Sequence, residues 1–244
     1  MEVPQSLYFS GLPSALAFRD LQRTYSALVS PDGEESTVAE ALASLRANAI
    51  FGDPLDMGVM ATLEGRLDDA RRWFLEAAAS SPESAWPHFY AGTLHDLGRQ
   101  TEAAAEAYRR AVAIEASNPR FFLHLGFCEL ELERYDEARR CFSRVIDLNP
   151  HDSNAQGFLG YLLLATEPAR AVEHLEVAST LDPANPFFAL RLGEALVRTG
   201  RIDDAREPLC RAAADARSAR EAHELLRAVE PPPDAVDLER ESDL

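Results

Sequence analysis

The sequence has no lysine, and all 24 of its basic residues are arginines, set against 41 aspartates and glutamates. The formal net charge at pH 7 is −17. A surface that binds nucleic acid needs clustered basic side chains to neutralise phosphates, and attraction to an anionic membrane needs the same sign of charge. The charge therefore argues against both and favours a protein partner that is basic or apolar.

Cysteine is scarce as well. The three cysteines, Cys128, Cys141 and Cys210, are widely spaced and form no CxxC motif. This usage is typical of buried or free thiols in a reducing compartment, not of a disulfide framework. The first residues, MEVPQSLYFSGLPSALAF, lack the basic region of a secretory signal. No apolar run reaches the ~18 residues of a membrane span. We therefore predict a cytoplasmic protein that does not insert into membranes.

Motifs that carry catalytic chemistry are also missing. None of the six histidines lies in an HExxH motif or at a zinc-ligand spacing with cysteine. The sequence contains no GxSxG, P-loop or GxGxxG motif. Paired acids such as Asp68-Asp69 and Asp203-Asp204 precede apolar helical stretches, where they complement the helix dipole. We predict that the chain is not an enzyme and has no catalytic residues, metal site or cofactor.

What the sequence does contain is a repeat. The stretch NPFFALRLGEALVRTGRIDDA, from Asn185 to Ala205, matches NPRFFLHLGFCELELERYDEA, from Asn118 to Ala138, at an offset of 67 residues. A glycine followed by an alanine about twelve residues later recurs five times, and four residues beyond each alanine lies a large apolar side chain. These trios are Gly58, Ala70, Phe74; Gly92, Ala104, Tyr108; Gly126, Ala138, Phe142; Gly160, Ala171, Leu175; and Gly193, Ala205, Leu209. Small residues at this spacing let paired helices approach closely, so the pattern predicts stacked helical hairpins.

This pattern resembles the tetratricopeptide repeat (TPR). The resemblance implies an all-α, right-handed superhelical solenoid of five repeats, at 51–84, 85–118, 119–152, 153–185 and 186–218. The fourth unit has Glu167-Pro168 where the others have a turn, which places Pro168 at the start of its second helix. Pro208 lies deeper in the last unit and is expected to bend or shorten that helix.

Both ends of the chain differ from the repeats. Residues 219–229 carry an apolar stripe opposite charged side chains and are predicted to form a C-terminal capping helix. Residues 230–244 are acidic and proline-rich, and we predict a disordered tail. Residues 1–50 are predicted to form an N-terminal helical segment, with a capping box from Thr37 to Glu40. This segment either caps the first repeat or forms a homodimer or partner-docking interface.

The resemblance also implies a binding groove, because the first helix of each TPR unit lines the concave surface. At the corresponding positions we predict nine groove residues: Trp86, Phe89, Leu123, Phe127, Leu130, Tyr161, Leu164, Phe187 and Leu190. Their side chains are aromatic or aliphatic. An exposed apolar surface of this extent marks a binding site, although some of these side chains could instead pack against neighbouring helices.

We therefore predict a non-enzymatic protein-interaction module that binds a peptide or unfolded segment of a partner. The stretch from His88 to Ala138 is similar to the central repeats of type III secretion chaperones that hold translocator proteins, which implies a secretion chaperone. Two alternatives remain open at this point. One is a general adaptor or scaffold that assembles a multiprotein complex, and the other is an accessory subunit of a separately encoded enzyme.

Overall fold

The computed structural model describes residues 53–229, which form eleven α-helices and no strand. The predicted N-terminal helical segment at 1–50 and the predicted tail at 230–244 lie outside the described residues. The chain divides into two compact units, with the division after Leu148.

The described part of the first unit consists of three helical hairpins. Its helices are α1 (Pro54–Leu63), α2 (Leu67–Ser80), α3 (Trp86–Leu97), α4 (Thr101–Ile114), α5 (Pro119–Glu131) and α6 (Tyr135–Leu148). Helices α1 and α2, α3 and α4, and α5 and α6 pair along the chain, and α2 and α4 each also pack on the first helix of the next hairpin.

The described part of the second unit consists of two hairpins and a final helix. Its helices are α7 (Ser153–Leu163), α8 (Pro168–Leu181), α9 (Pro186–Arg198), α10 (Ile202–Ala213) and α11 (Ala219–Val229). Helix α11 packs against α9 and α10 and buries Ala222 and Val229. Leu225 and Leu226 on the same stripe are only half-buried.

Side-chain caps fix where the first helices α5 and α9 begin. Asn118 accepts a hydrogen bond from the backbone amide of Arg120 at 3.2 Å, and Asn185 accepts one from the amide of Phe187 at 3.1 Å. In both helices proline follows the cap, where its missing N–H costs nothing. These two starts agree with the Asn-Pro pairs in the sequence.

The glycine–large pairs of the sequence are direct contacts. A Cβ added at Gly92 would lie 2.6 Å from a ring carbon of Tyr108, and one at Gly126 would lie 2.9 Å from a ring carbon of Phe142. In the second unit, a Cβ at Gly160 would lie 2.6 Å from Leu175 Cγ, and one at Gly193 would lie 2.5 Å from Leu209. The large side chain of the second helix thus occupies the space that the glycine leaves on the first helix, which holds each hairpin together.

The turns inside the hairpins differ in which residue takes the left-handed conformation. Gly65 and Gly200 have φ of 76° and 78°. In the second and third hairpins this position falls on Arg99, with φ of 55°, and Glu133, with φ of 59°. Gly98, next to Arg99, is the C-cap of α3 with φ of −80°.

Two prolines act as the sequence predicts. Pro168 is the first residue of α8. Pro208 lies inside α10, which is 12 residues long, whereas the second helix of every other described hairpin has 14 residues. The expectation that Pro208 shortens its helix is confirmed.

Candidate protein-binding surfaces

Most of the predicted groove residues lie in the interior of the described chain. Six of the nine are buried, with exposed fractions of 1% for Phe89, 8% for Leu123, 2% for Phe127, 4% for Leu130, 5% for Leu164 and 0% for Leu190. Trp86, Tyr161 and Phe187 are partly exposed. The expectation of an exposed apolar lining is therefore corrected for the six and is restricted to the three aromatic residues.

The first helix of a hairpin contacts both its own second helix and its neighbours, which explains this burial. The ring of Phe89 on α3 lies 5.5 Å from that of Tyr108 on α4 and 5.1 Å from that of Phe121 on α5. Phe127 on α5 meets Phe142 of α6 edge-on at 5.4 Å. Positions that a helical pattern assigns to one apolar face thus fall between two or three helices.

In the first unit, the exposed part of the predicted surface is Trp86 at the start of α3. Its ring meets Phe121 edge-on at 5.2 Å and lies 5.8 Å from both Phe89 and Tyr90. Tyr90 in turn stacks on Phe74 at 5.6 Å. Trp86 is therefore a half-exposed side chain held by buried rings, an arrangement typical of interface anchors.

In the second unit, Tyr161 of α7 and Phe187 of α9 lie side by side, and both are partly exposed. Their ring centroids are 5.7 Å apart with the planes inclined at 58°. Phe187 also stacks on Phe158, which is 2% exposed, at 5.2 Å. We refer to Tyr161 and Phe187 as the aromatic pair.

A buried arginine lies against the aromatic pair. The guanidinium carbon of Arg191 is 5.5 Å from the centroid of each of the two rings, which is within the range of a cation–π interaction. Arg191 is only 7% exposed. One cation therefore contacts both partly exposed rings from the protein side.

Two carboxylates neutralise this arginine. Arg191 Nη1 donates to Glu194 Oε2 and to Glu221 Oε1, each at 2.6 Å, and Nη2 donates to Glu221 Oε2 at 3.1 Å. Burial opposes the charge of Arg191, but Glu221 and Glu194 outweigh burial and raise its pKa. Glu194 also accepts a hydrogen bond from Arg198 at 2.7 Å. We refer to Arg191, Glu194 and Glu221 as the arginine latch.

The arginine latch is the part of this surface that could not be predicted from the sequence. Arg191 lies one residue after Leu190 in the stretch FFALRLG, where it is the one charged residue. An arginine in such an apolar stretch indicates a buried charge that needs a partner. Its partner Glu221 lies 30 residues further along, in the first turn of α11, and nothing in the local pattern connects the two.

No group of three or more histidine, cysteine, aspartate and glutamate side chains within residues 53–229 is arranged to hold a metal ion. In the same range, no helix has the length and apolar character needed to cross a bilayer.

One family model matches this chain. The model described as "Tetratricopeptide repeat" matches residues 98–160 and 162–229. Together these ranges cover more than half of the chain.

Curated relatives share the repeats over part of their length. The chain is 26% identical over 159 residues to the type IV pilus assembly protein PilF of Pseudomonas aeruginosa, which covers 63% of this chain and 62% of PilF. It is 28% identical over 148 residues to the BBSome complex member BBS4 of Bos taurus, which covers 60% of this chain and 28% of BBS4. The chain therefore spans about three fifths of the first relative and about a quarter of the second.

Solved structures share the fold at low identity. YrrB, described as a TPR protein with an unusual peptide-binding site, superposes with a TM-score of 0.63 at 19% identity and covers 78% of this chain and 98% of YrrB. MamA superposes with a TM-score of 0.59 at 19% identity and covers 73% of this chain and 94% of MamA. The all-α solenoid fold class predicted from the sequence is confirmed by these structures together with the helices of both units.

Proposed function

This chain belongs to the tetratricopeptide repeat family, whose members bind other proteins, and on that premise we propose that it binds an extended peptide segment of a partner through the aromatic pair. The segment we propose carries both apolar and basic side chains. The observation that supports this most directly is the partly exposed position of Tyr161 and Phe187, 5.7 Å apart on neighbouring first helices.

The aromatic pair has the features of an interaction anchor. Large rings held rigidly by buried neighbours offer contact area at little cost in side-chain entropy. Phe158 supports Phe187 from inside, and Arg191 supports both rings. An apolar side chain of a partner would cover the exposed part of these rings.

The charge of the chain supports the basic character of the partner. The formal net charge is −17, and a field of one sign attracts partners of the opposite sign and repels partners of its own. Trp86 in the first unit is proposed as a separate contact, again an aromatic side chain held by buried rings. The peptide-binding site named in the description of YrrB supports this choice of ligand class by analogy of fold.

Selection from a random library of 12-residue peptides against the full chain tests the proposal. We expect the selected peptides to be enriched in apolar and basic residues. The peptide that binds best then serves as the probe for the variants Tyr161→Ala and Phe187→Ala. Truncation of an anchoring aromatic side chain costs about 2 kcal/mol of binding or more, which is roughly a thirtyfold loss of affinity measured by fluorescence anisotropy.

Tyr135→Ala is the control, because Tyr135 is an exposed aromatic residue of the first unit, 41% accessible, that is not among the proposed contacts. It should bind the probe as the unmodified chain does. Retention of full affinity by both Tyr161→Ala and Phe187→Ala, or selection of acidic peptides, would show that the aromatic pair is not the binding site.

The names of the curated relatives favour an adaptor as the second candidate. PilF is described as a pilus assembly protein and BBS4 as a complex member. An adaptor would hold folded partners in a complex, whereas a secretion chaperone would keep an unfolded segment soluble. Binding of a short selected peptide with the affinity of the whole partner favours the chaperone, and binding that requires the folded partner favours the adaptor. An accessory subunit would change the turnover of a separately encoded enzyme.

The remaining parts of the proposal follow the family. Tetratricopeptide repeats are typically non-catalytic, and we propose that this chain likewise acts by binding alone, without a cofactor. A cytoplasmic location and a homodimer formed through residues 1–50 complete the proposal. Sedimentation of the chain with and without residues 1–50 would reveal the dimer as a loss of about half the mass on truncation.

A further inference from the structure

The aromatic pair is connected to the last described helix by the arginine latch. Arg191 on α9 contacts the rings of Tyr161 and Phe187 on one side. On the other side it forms a two-pronged ion pair with Glu221 of α11, with N–O distances of 2.6 and 3.1 Å. One guanidinium therefore touches both the proposed binding residues and the helix that closes the second unit.

The position of this guanidinium depends on few groups. Arg191 Nε is buried and has no hydrogen-bond partner within residues 53–229. The two terminal nitrogens are held by Glu194 and Glu221. Glu194 lies three residues further along the same helix and moves with it. Glu221, in contrast, belongs to α11, so its contact with Arg191 forms only when α11 is docked.

Because Arg191 is buried, loss of its contact with Glu221 is costly in free energy. A charged side chain that is 7% exposed cannot replace a lost partner with bulk water at no cost, so it must move or draw water in. Movement of Arg191 toward solvent would remove the cation–π contact from both rings, while Phe187 would keep its contact with Phe158. The geometry of the rings is therefore tied to the docking of α11.

We propose that α11 is a positioning element for the partner site, and that the Arg191–Glu221 ion pair couples the docking of this helix to the conformation of the aromatic pair. The inference rests on the proposed function, since it assigns the aromatic pair to partner binding. Arg191 and Glu221 act through the rings and are positioning residues that do not themselves touch the partner.

Coupling of this kind is reciprocal. If docked α11 favours the binding conformation of the rings, then a bound peptide must favour docked α11 by the same factor. Backbone amides of α11 should therefore exchange with solvent deuterium more slowly when the selected peptide is bound. A role of Glu221 in folding alone would not transmit binding in this way.

The test compares Glu221→Gln with Glu224→Gln. Both substitutions remove one negative charge from α11, but Glu224 is exposed and, among residues 53–229, pairs with Arg220 alone, at 3.1 Å on the same helix. We expect Glu221→Gln to weaken binding of the selected peptide by about tenfold, which lies within the usual range of coupling between two sites. It should also abolish the slowing of exchange in α11. Glu224→Gln should keep both the affinity and the slowing.

The outcomes separate this inference from the proposed function. Loss of affinity in Tyr161→Ala, with unchanged affinity and unchanged slowing of exchange in Glu221→Gln, would leave the proposed site standing and overturn the coupling. Unchanged affinity in both Tyr161→Ala and Phe187→Ala would overturn the proposed function and the positioning role with it. Circular dichroism of each variant confirms that the helices are retained before the comparison is made.

Discussion

At the scale of single residues, each hairpin depends on a glycine of the first helix that faces a large side chain of the second helix. Tyr108 shows this most fully, because it has two roles on the same side chain. Its ring fills the space beside Gly92, and its hydroxyl donates a hydrogen bond to Asp96 Oδ2 at 2.7 Å. Asp96 also accepts a hydrogen bond from the Cys128 thiol at 3.5 Å. Burial raises the pKa of Asp96, and the Tyr108 hydroxyl opposes this shift. The contact between Gly92 and Tyr108 therefore also places the hydroxyl that stabilises the buried Asp96 carboxylate.

Gly92→Ala tests this pairing. The new methyl group would lie 2.6 Å from a ring carbon of Tyr108, so the ring must move and its bond to Asp96 is disturbed. Overpacking costs about 1–3 kcal/mol, and alanine recovers up to about 1 kcal/mol through helix propensity. We expect the free energy of unfolding in urea to fall by about 1–2 kcal/mol.

Gly98→Ala is the control for this substitution. Gly98 has negative φ, and a Cβ there would meet its nearest atom at 3.4 Å. It should change stability by no more than about 0.5 kcal/mol. Equal stability of the two variants would mean that the ring of Tyr108 moves aside freely and that the close approach is not what holds the hairpin.

At the scale of the helices, Pro208 interrupts a repeated element. A proline inside a helix removes one backbone hydrogen bond and crowds the preceding turn, at a cost of about 3 kcal/mol. Pro208 is itself buried, and its ring carbons recover part of that cost by packing. Helix α10 has 12 residues, whereas the second helix of every other described hairpin has 14.

Pro208→Ala should therefore stabilise the second unit. Alanine restores an N–H that can donate to the carbonyl of Asp204, and it gives up about two buried methylene groups at about 0.8 kcal/mol each. The balance is a gain of about 1 kcal/mol, measured as a higher midpoint of thermal unfolding. Pro168→Ala is the control, because the first position of α8 needs no N–H and loses only the rigidity of proline. A lower midpoint for Pro208→Ala than for Pro168→Ala would mean that the packing of the Pro208 ring outweighs the missing hydrogen bond.

The helices could be predicted from the sequence because the signals that define them are local. Asn118 and Asn185 cap helices within two residues of themselves, and the glycine–large spacing identifies the contact between two consecutive helices. Exposure could not be predicted in the same way. Leu190 and Phe187 both belong to the apolar positions of α9, yet Leu190 is 0% exposed while Phe187 is partly exposed. The difference comes from helices contributed by other repeats, which no local pattern specifies.

At the scale of the whole molecule, net charge is the property that acts over the longest distance. The acidic residues are unevenly placed, and residues 230–244 contain six acids and one arginine. Many arginines of the described helices are already paired with a nearby acid, such as Arg201 with Asp204 at 2.7 Å and Arg140 with Glu137 at 2.7 Å. Such exposed pairs add little to stability, and what remains over distance is the excess of negative charge.

This excess makes a prediction about the selected basic peptide, and it rests on the proposed function. The screening length falls from about 10 Å at 0.1 M salt to about 3 Å at 1 M, so the association rate of the peptide, measured by stopped-flow anisotropy, should fall steeply with added sodium chloride. The dissociation rate should change little, because contacts with the aromatic pair are short-range.

A variant with the six acids of 230–244 replaced by their amides should show a shallower salt dependence and the same thermal midpoint as the unmodified chain. A peptide with its lysines and arginines replaced by glutamine provides the control and should show almost no salt dependence. Equal slopes for the unmodified chain and the amide variant would mean that residues 230–244 do not attract the partner and that the described helices supply the attraction alone.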